Sequence, residues 1–113
     1  MTIFMRLFVS FSREFARNFW ITRSVLLSLV AMMVLCALLW TYVEDIAFGD
    51  ALYMSLITAF TIGYGDIVPL TGLGKVISLV DGFTGVIFMG LSVAIATVTL
   101  KEILRENGKG NSK

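Results

Sequence analysis

Two apolar stretches, from about Ile21 to Tyr42 and from about Gly74 to Leu100, are each long enough to cross a lipid bilayer. At ~1.5 Å of rise per helical residue, either one covers the roughly 30 Å hydrocarbon core. No other feature narrows the fold as far, because only structures that satisfy their backbone N–H and C=O groups internally span lipid. Composition agrees. Apolar types make up 58% of the 113 residues and charged types 15%, against about half and one quarter in an ordinary globular domain. A chain this short cannot hide that much apolar surface in a core of its own.

The flanks of these stretches carry the signs of a membrane surface. Trp20 stands at one end of the first, and Trp40 with Tyr42 at the other, where amphipathic aromatics favour the interface; Arg23 near the entry can snorkel outward. Arg6, Arg13 and Arg17 precede the first stretch, and Lys101, Arg105, Lys109 and Lys113 follow the second. Between them lie Glu44, Asp45, Asp50 and Asp66, with Lys75 the only basic residue. The positive-inside rule then predicts both termini in the cytoplasm and the intervening loop outside. Arg13, Glu14 and Arg17 interrupt the apolar character of the N-terminus, so it reads as mature protein and not as a signal peptide. At 100° per residue, Phe4, Phe8, Phe11, Phe15 and Phe19 share one helix face and Arg6, Arg13 and Arg17 the opposite one. That pattern predicts a separate interfacial helix over 1–20, lying along the inner membrane surface; a helix docked on protein is the alternative.

The segment between the spans is apolar but too short to cross. Asp50 is a good N-cap after Gly49, which predicts a helix over 50–60. About ten residues give ~15 Å, half the membrane. A half-helix followed by glycine-rich backbone is a re-entrant loop, tolerated where it is buried in protein or lines water.

Directly after it comes Thr61-Ile62-Gly63-Tyr64-Gly65-Asp66. This hexapeptide resembles the potassium-channel signature Thr-x-Gly-Tyr-Gly, with the frequent Asp after it, and the order of span, half-helix, signature and span resembles the two-span bacterial potassium channels. The resemblance implies an all-α membrane protein: a single pore domain with two transmembrane helices, a re-entrant pore helix and a filter loop, as a homotetramer around a central pore. Its parts would be an interfacial helix (1–20), outer helix (21–43), pore helix (50–60), selectivity filter (61–66), inner helix (74–104) and flexible tail (105–113). A dehydrated K+ needs replacement oxygens, and backbone carbonyls supply them if they all point inward, a conformation that glycine adopts without a Cβ penalty. The resemblance assigns ion binding to the carbonyls of Thr61, Ile62, Gly63 and Tyr64 with the Thr61 hydroxyl, and a narrow outer end to Gly65. Ile62 and Tyr64 side chains would turn away from the ions and wedge against the half-helix. Ile57 stands where some relatives carry an acid that pairs with the Asp66 equivalent. Tyr53 and Met54 stand where many have two bracing aromatics, and Tyr53 remains able to bond Asp66 or a filter neighbour as a filter support.

In the second span Gly85 falls where the family places a hinge glycine, and Gly90 is a second candidate; close helix packing is the alternative at Gly85 and the favoured reading at Gly90. Asp81, an acid inside a span, marks a functional site by default. It either lines a cavity or bonds Ser55, Thr58 or Thr84 behind the filter. Met89, Val93 and Thr97 are candidate lining residues. With no histidine, no metal-ligand cluster and no nucleophile–base pair, an enzyme is the weakest reading and none is expected. Lone Cys36 allows no intrachain disulfide, and no span carries the periodic basic residues of a voltage sensor. The expected function is passive K+ transport across a plasma membrane of prokaryotic type, with no cofactor, K+ as the permeant ion, and lipid and three further copies as partners. A net charge of +1 implies no nucleic acid. The alternatives are a non-selective Na+/K+ channel of the same architecture and a non-conducting membrane scaffold.

Overall fold

The computed structural model describes residues 2–112. They form three helices, α1 (Thr2–Val43), α2 (Phe48–Ala59) and α3 (Gly72–Gly110), and no strand among the described residues. Only 28% of the most apolar stretch of α1 and 22% of that of α3 is buried. Helices this bare are not the core of a soluble protein, and their apolar faces call for lipid or further protein.

No glycine or proline occurs before Gly49, so α1 propagates without interruption through residues 20 and 21. The separate interfacial helix expected there is instead continuous with the span, because a change of hydrophobic pattern does not break a helix without a breaker. The 42 residues of α1 reach roughly 63 Å, about twice the hydrocarbon thickness. Glu44 N–H closes the last turn on the Trp40 carbonyl at 2.8 Å, and Asp45 then leaves in a left-handed conformation, φ 54°, which Asp tolerates better than most residues.

Helix α2 begins earlier than expected. Ala47, extended at φ −61°, ψ 145°, is the N-cap without a side-chain bond, and its carbonyl accepts from Ala51 N–H at 3.0 Å. Asp50 is therefore not the cap but a first-turn acid, where its charge favours the free N–H groups. At the start of α3 the cap is Thr71, whose Oγ1 accepts from Gly74 N–H at 2.9 Å. Past the expected end at 104, α3 continues to Gly110. Lys101, Glu102, Leu104, Arg105 and Glu106 are strong helix formers, which keeps the first part of the supposed flexible tail helical.

The contacts group into two units, Val25–Gly90 and the stretches up to Ser24 and from Leu91 onward. The first unit holds a core of Cys36, Ala37, Trp40, Ala51, Met54 and Ile77. Ala37 and Ala51, both fully buried, let the helices approach closely. Trp40 is fully buried between the helices, with its indole N–H donated to the Gly74 carbonyl at 2.9 Å; Tyr42 is 84% exposed. In the second unit Arg17 pairs with Glu14 at 2.6 Å and Glu102 at 3.5 Å, and Asn18 Nδ2 donates to Thr99 Oγ1 at 2.9 Å. Phe4 and Phe8 are exposed, Phe11 and Phe15 stack on each other, and Arg23 covers the Trp20 ring at 4.2 Å.

Candidate functional site

The loop that leaves α2 folds its N–H groups back onto the helix. Phe60 N–H bonds the Leu56 carbonyl (2.9 Å), Thr61 N–H that of Thr58 (3.1 Å), and Ile62 and Gly63 N–H both bond Ile57 (2.8 and 3.1 Å). Donors are thereby committed to the helix side. Residues 61, 63 and 65 have positive φ, at 58°, 55° and 80°, whereas Ile62 and Tyr64 do not. Alternation of hand at successive residues turns N–H groups to one side of a chain and carbonyls to the other.

Glycine at 63 and 65 answers to conformation and not to space. A Cβ at either would meet nothing within 4 Å in this chain, but the positive φ penalises any side chain. Thr61 has no such exemption. A β-branched residue in the left-handed region is a strained exception, of order 1–3 kcal/mol, and such strain gathers at functional sites.

Two hydrogen-bonded supports flank this segment. Tyr53 O–H donates to Asp66 Oδ2 at 3.0 Å, tying the far end of the motif to α2 as the sequence suggested. Burial pushes the Tyr53 phenol up, and the hydrogen bond and charge of Asp66, with Tyr64 close by, push it the same way. The second support was not foreseen. Glu44 accepts from Leu70 N–H (2.9 Å), Thr71 N–H (3.1 Å) and Thr71 Oγ1 (2.5 Å), fixing the loop's exit to the end of α1. The Thr71 hydroxyl, then the Leu70 N–H, hold its carboxyl below the usual carboxylate range against a burial penalty, with Thr71 N–H and the Lys75 charge acting in the same lowering sense. Glu44 looked like one loop acid among several; its position just past an apolar span was the available signal.

Ile62 and Tyr64 do not wedge against the helix of their own chain: they are 50% and 71% exposed. Ile57 and Met54 are buried, so the positions that lack an acid and a second aromatic serve the core. Asp81 is fully buried. Of its three candidate partners only Ser55 reaches it, at 3.1 Å, because Thr58 and Thr84 give their hydroxyls to the Met54 and Val80 carbonyls of their own helices. Asp81 therefore lines no cavity. Gly85 sits against α2: a Cβ there would overlap the backbone of Ala59, itself fully buried. Helix α3 runs through both glycines unbroken, and a Cβ at Gly90 would meet nothing within 4 Å. Met89, Val93 and Thr97 are exposed. No cluster of metal-ligating side chains occurs among the described residues.

A family model described as "Ion channel" matches residues 24–102. A voltage-gated potassium channel of Aeropyrum pernix is 40% identical over 55 residues, covering 49% of this chain and 19% of that protein. The two-pore potassium channel 4 of Arabidopsis thaliana is 50% identical over 46 residues, covering 41% and 16%. The chain therefore spans less than one fifth of the length of these curated relatives. The crystal structure of a voltage-gated K+ channel pore domain, in a closed state in lipid membranes, aligns with a TM-score of 0.60 at 28% identity, over 74% of this chain and 94% of that one.

Proposed function

The chain belongs to the ion-channel family, and from that premise we propose that it is one subunit of a homotetrameric, potassium-selective pore. The observation that carries the proposal is the alternation of φ sign at 61, 63 and 65, combined with N–H groups spent on the Ile57 carbonyl. Four such segments around an axis present rings of oxygens from Thr61, Ile62, Gly63 and Tyr64, with the Thr61 hydroxyl below them, in place of an ion's hydration shell. The carbonyl end of α2, ending at Ala59, adds the negative end of a helix dipole, which favours a cation. Exposed Ile62 and Tyr64 support the oligomer, since large apolar side chains in water are poor neighbours for an ordered loop and a second copy would cover them. The chain is not an enzyme, as the members of its family are channels.

In this reading α1 and α3 cross a plasma membrane with both termini cytoplasmic, because the basic residues cluster before the first span and after the second. The aromatic and basic faces of residues 2–20 suit the inner membrane surface, as a continuation of α1. A non-selective cation channel of the same architecture is the rival, but Tyr64 and Gly65 supply the outer half of the filter. The deciding experiment is the reversal potential of the purified, reconstituted protein under opposed K+ and Na+ gradients. A value near the K+ equilibrium potential is expected; a value near zero with current flowing would overturn selectivity.

A further inference from the structure

Three helices meet at a single hydroxyl. Ser55 Oγ on α2 lies 3.0 Å from the Met33 carbonyl of α1 and 3.1 Å from Asp81 Oδ1 of α3, and both Ser55 and Asp81 are fully buried. A serine hydroxyl has one proton to donate and two lone pairs with which to accept, whereas a backbone carbonyl only accepts. An ionised Asp81 would also only accept. One proton would then face two acceptors, leaving one of the two short contacts as oxygen against oxygen with nothing between. The inventory closes when Asp81 brings a proton of its own: Asp81 O–H donates to Ser55 Oγ, and Ser55 O–H donates to the Met33 carbonyl.

The surroundings favour the same count. Among the described residues no ion pair includes Asp81, and its Oδ2 is buried with no hydrogen-bond partner. A charge in that position has neither a counter-ion nor a full set of donors, the costliest way to bury an acid. From α1 the titratable neighbour within electrostatic reach is Cys36; α2 offers Ser55, and the Thr84 hydroxyl on α3 itself is turned to the Val80 carbonyl. None of these supplies positive charge. Burial is complete within one chain, so neither lipid, nor a neighbouring copy, nor a permeating ion reaches the carboxyl.

We propose that Asp81 is held as a neutral carboxylic acid whose O–H closes an Asp81–Ser55–Met33 relay, and that this relay seats α2, with the loop it carries, against both long helices. Asp81 is a positioning residue: it touches no ion. The relay stands whether or not the pore proves selective for potassium.

The test is infrared spectroscopy of the full chain in liposomes, with 13C at the carboxyl carbons of Asp45, Asp50, Asp66 and Asp81. The other three are exposed to solvent, and the variant below separates their signal from that of Asp81. An isotope-shifted C=O band of a protonated carboxylic acid is expected at neutral pH in the unaltered protein, and its absence overturns the proposal with no variant required. The band should vanish in Asp81→Glu, where no label remains at the position; persistence there also overturns the assignment. Finally, Asp81→Asn keeps an N–H donor for Ser55 and should hold the thermal midpoint of the unaltered protein, whereas Asp81→Leu should lower it. An Asn variant as weakened as the Leu variant would refute the donor role.

Discussion

Replacing Gly85 with alanine sets helix propensity against packing, and the two predict opposite signs. If Gly85 is a free hinge, alanine stiffens the helix and contributes about 1 kcal/mol. The observed neighbourhood predicts the reverse. The added Cβ falls on the Cα, C and O atoms of Ala59, and Ala59 has no exposed surface. These are backbone atoms, so no rotamer change relieves the overlap and the helices must separate. Overpacking costs typically 1–3 kcal/mol, and a backbone-on-backbone overlap belongs at ~3 or above. Subtracting the ~1 kcal/mol propensity gain leaves a net loss of about 2 kcal/mol. Gly90→Ala is the internal control, since its Cβ meets nothing within 4 Å and should return the ~1 kcal/mol undiminished. The two variants should therefore differ by about 3 kcal/mol, read as thermal unfolding midpoints of the purified protein in one detergent. A Gly85→Ala midpoint at or above that of the parent, alongside Gly90→Ala, would refute the packing argument and restore the hinge.

Further outcomes follow from the loop's supports. Gly65→Asp places a side chain at φ 80° and removes the outer sites, so discrimination between K+ and Na+ should fall; an unchanged reversal potential would contradict the role given to Gly65. Tyr53→Phe removes the bond to Asp66 and should hasten the decay of current during sustained opening, with single-channel traces as the check. Because the Tyr53 phenol is raised in the folded chain, its contribution is complete below the unfolded value of about 10 and is lost as pH rises through the folded value. That alkaline loss should be missing in the Phe variant. Glu44 has the opposite sign: its carboxyl is lowered, so its contribution holds above the unfolded value and disappears as pH falls through the folded one. Glu44→Gln should flatten this acid-side loss in a melt-against-pH series, and Glu44→Ala should speed hydrogen exchange at the Leu70 and Thr71 amides.

The parts legible in the sequence were those that length and local chemistry decide. Two apolar stretches of bilayer length, a half-length one between them and glycines at alternate positions need no partner to be recognised. Boundaries were less legible. Capping is a competition between neighbours, and extended Ala47 won it over Asp50. No breaker lies between residues 2 and 48, so a change of pattern near Trp20 left no break in α1. The facing of Asp81 and the burial of Trp40 depend on helix rotation, which tertiary packing sets. Glu44 was missed because its partners lie 26 and 27 residues further on. Ile62 and Tyr64 stand exposed in one chain, and in the proposed tetramer a neighbouring copy would cover them.

The Ile57 carbonyl, which receives both Ile62 and Gly63 N–H groups, has a consequence for how the loop tolerates change. Its shape is anchored on an atom that every amino acid possesses, so swapping the side chain at 57 alters core filling but leaves the anchor in place. Sensitivity lies instead in the chemistry of the main chain. An amide-to-ester replacement at Ile62 or Gly63 deletes a donor without altering any side chain, and reaches a part of the molecule that ordinary mutagenesis leaves intact.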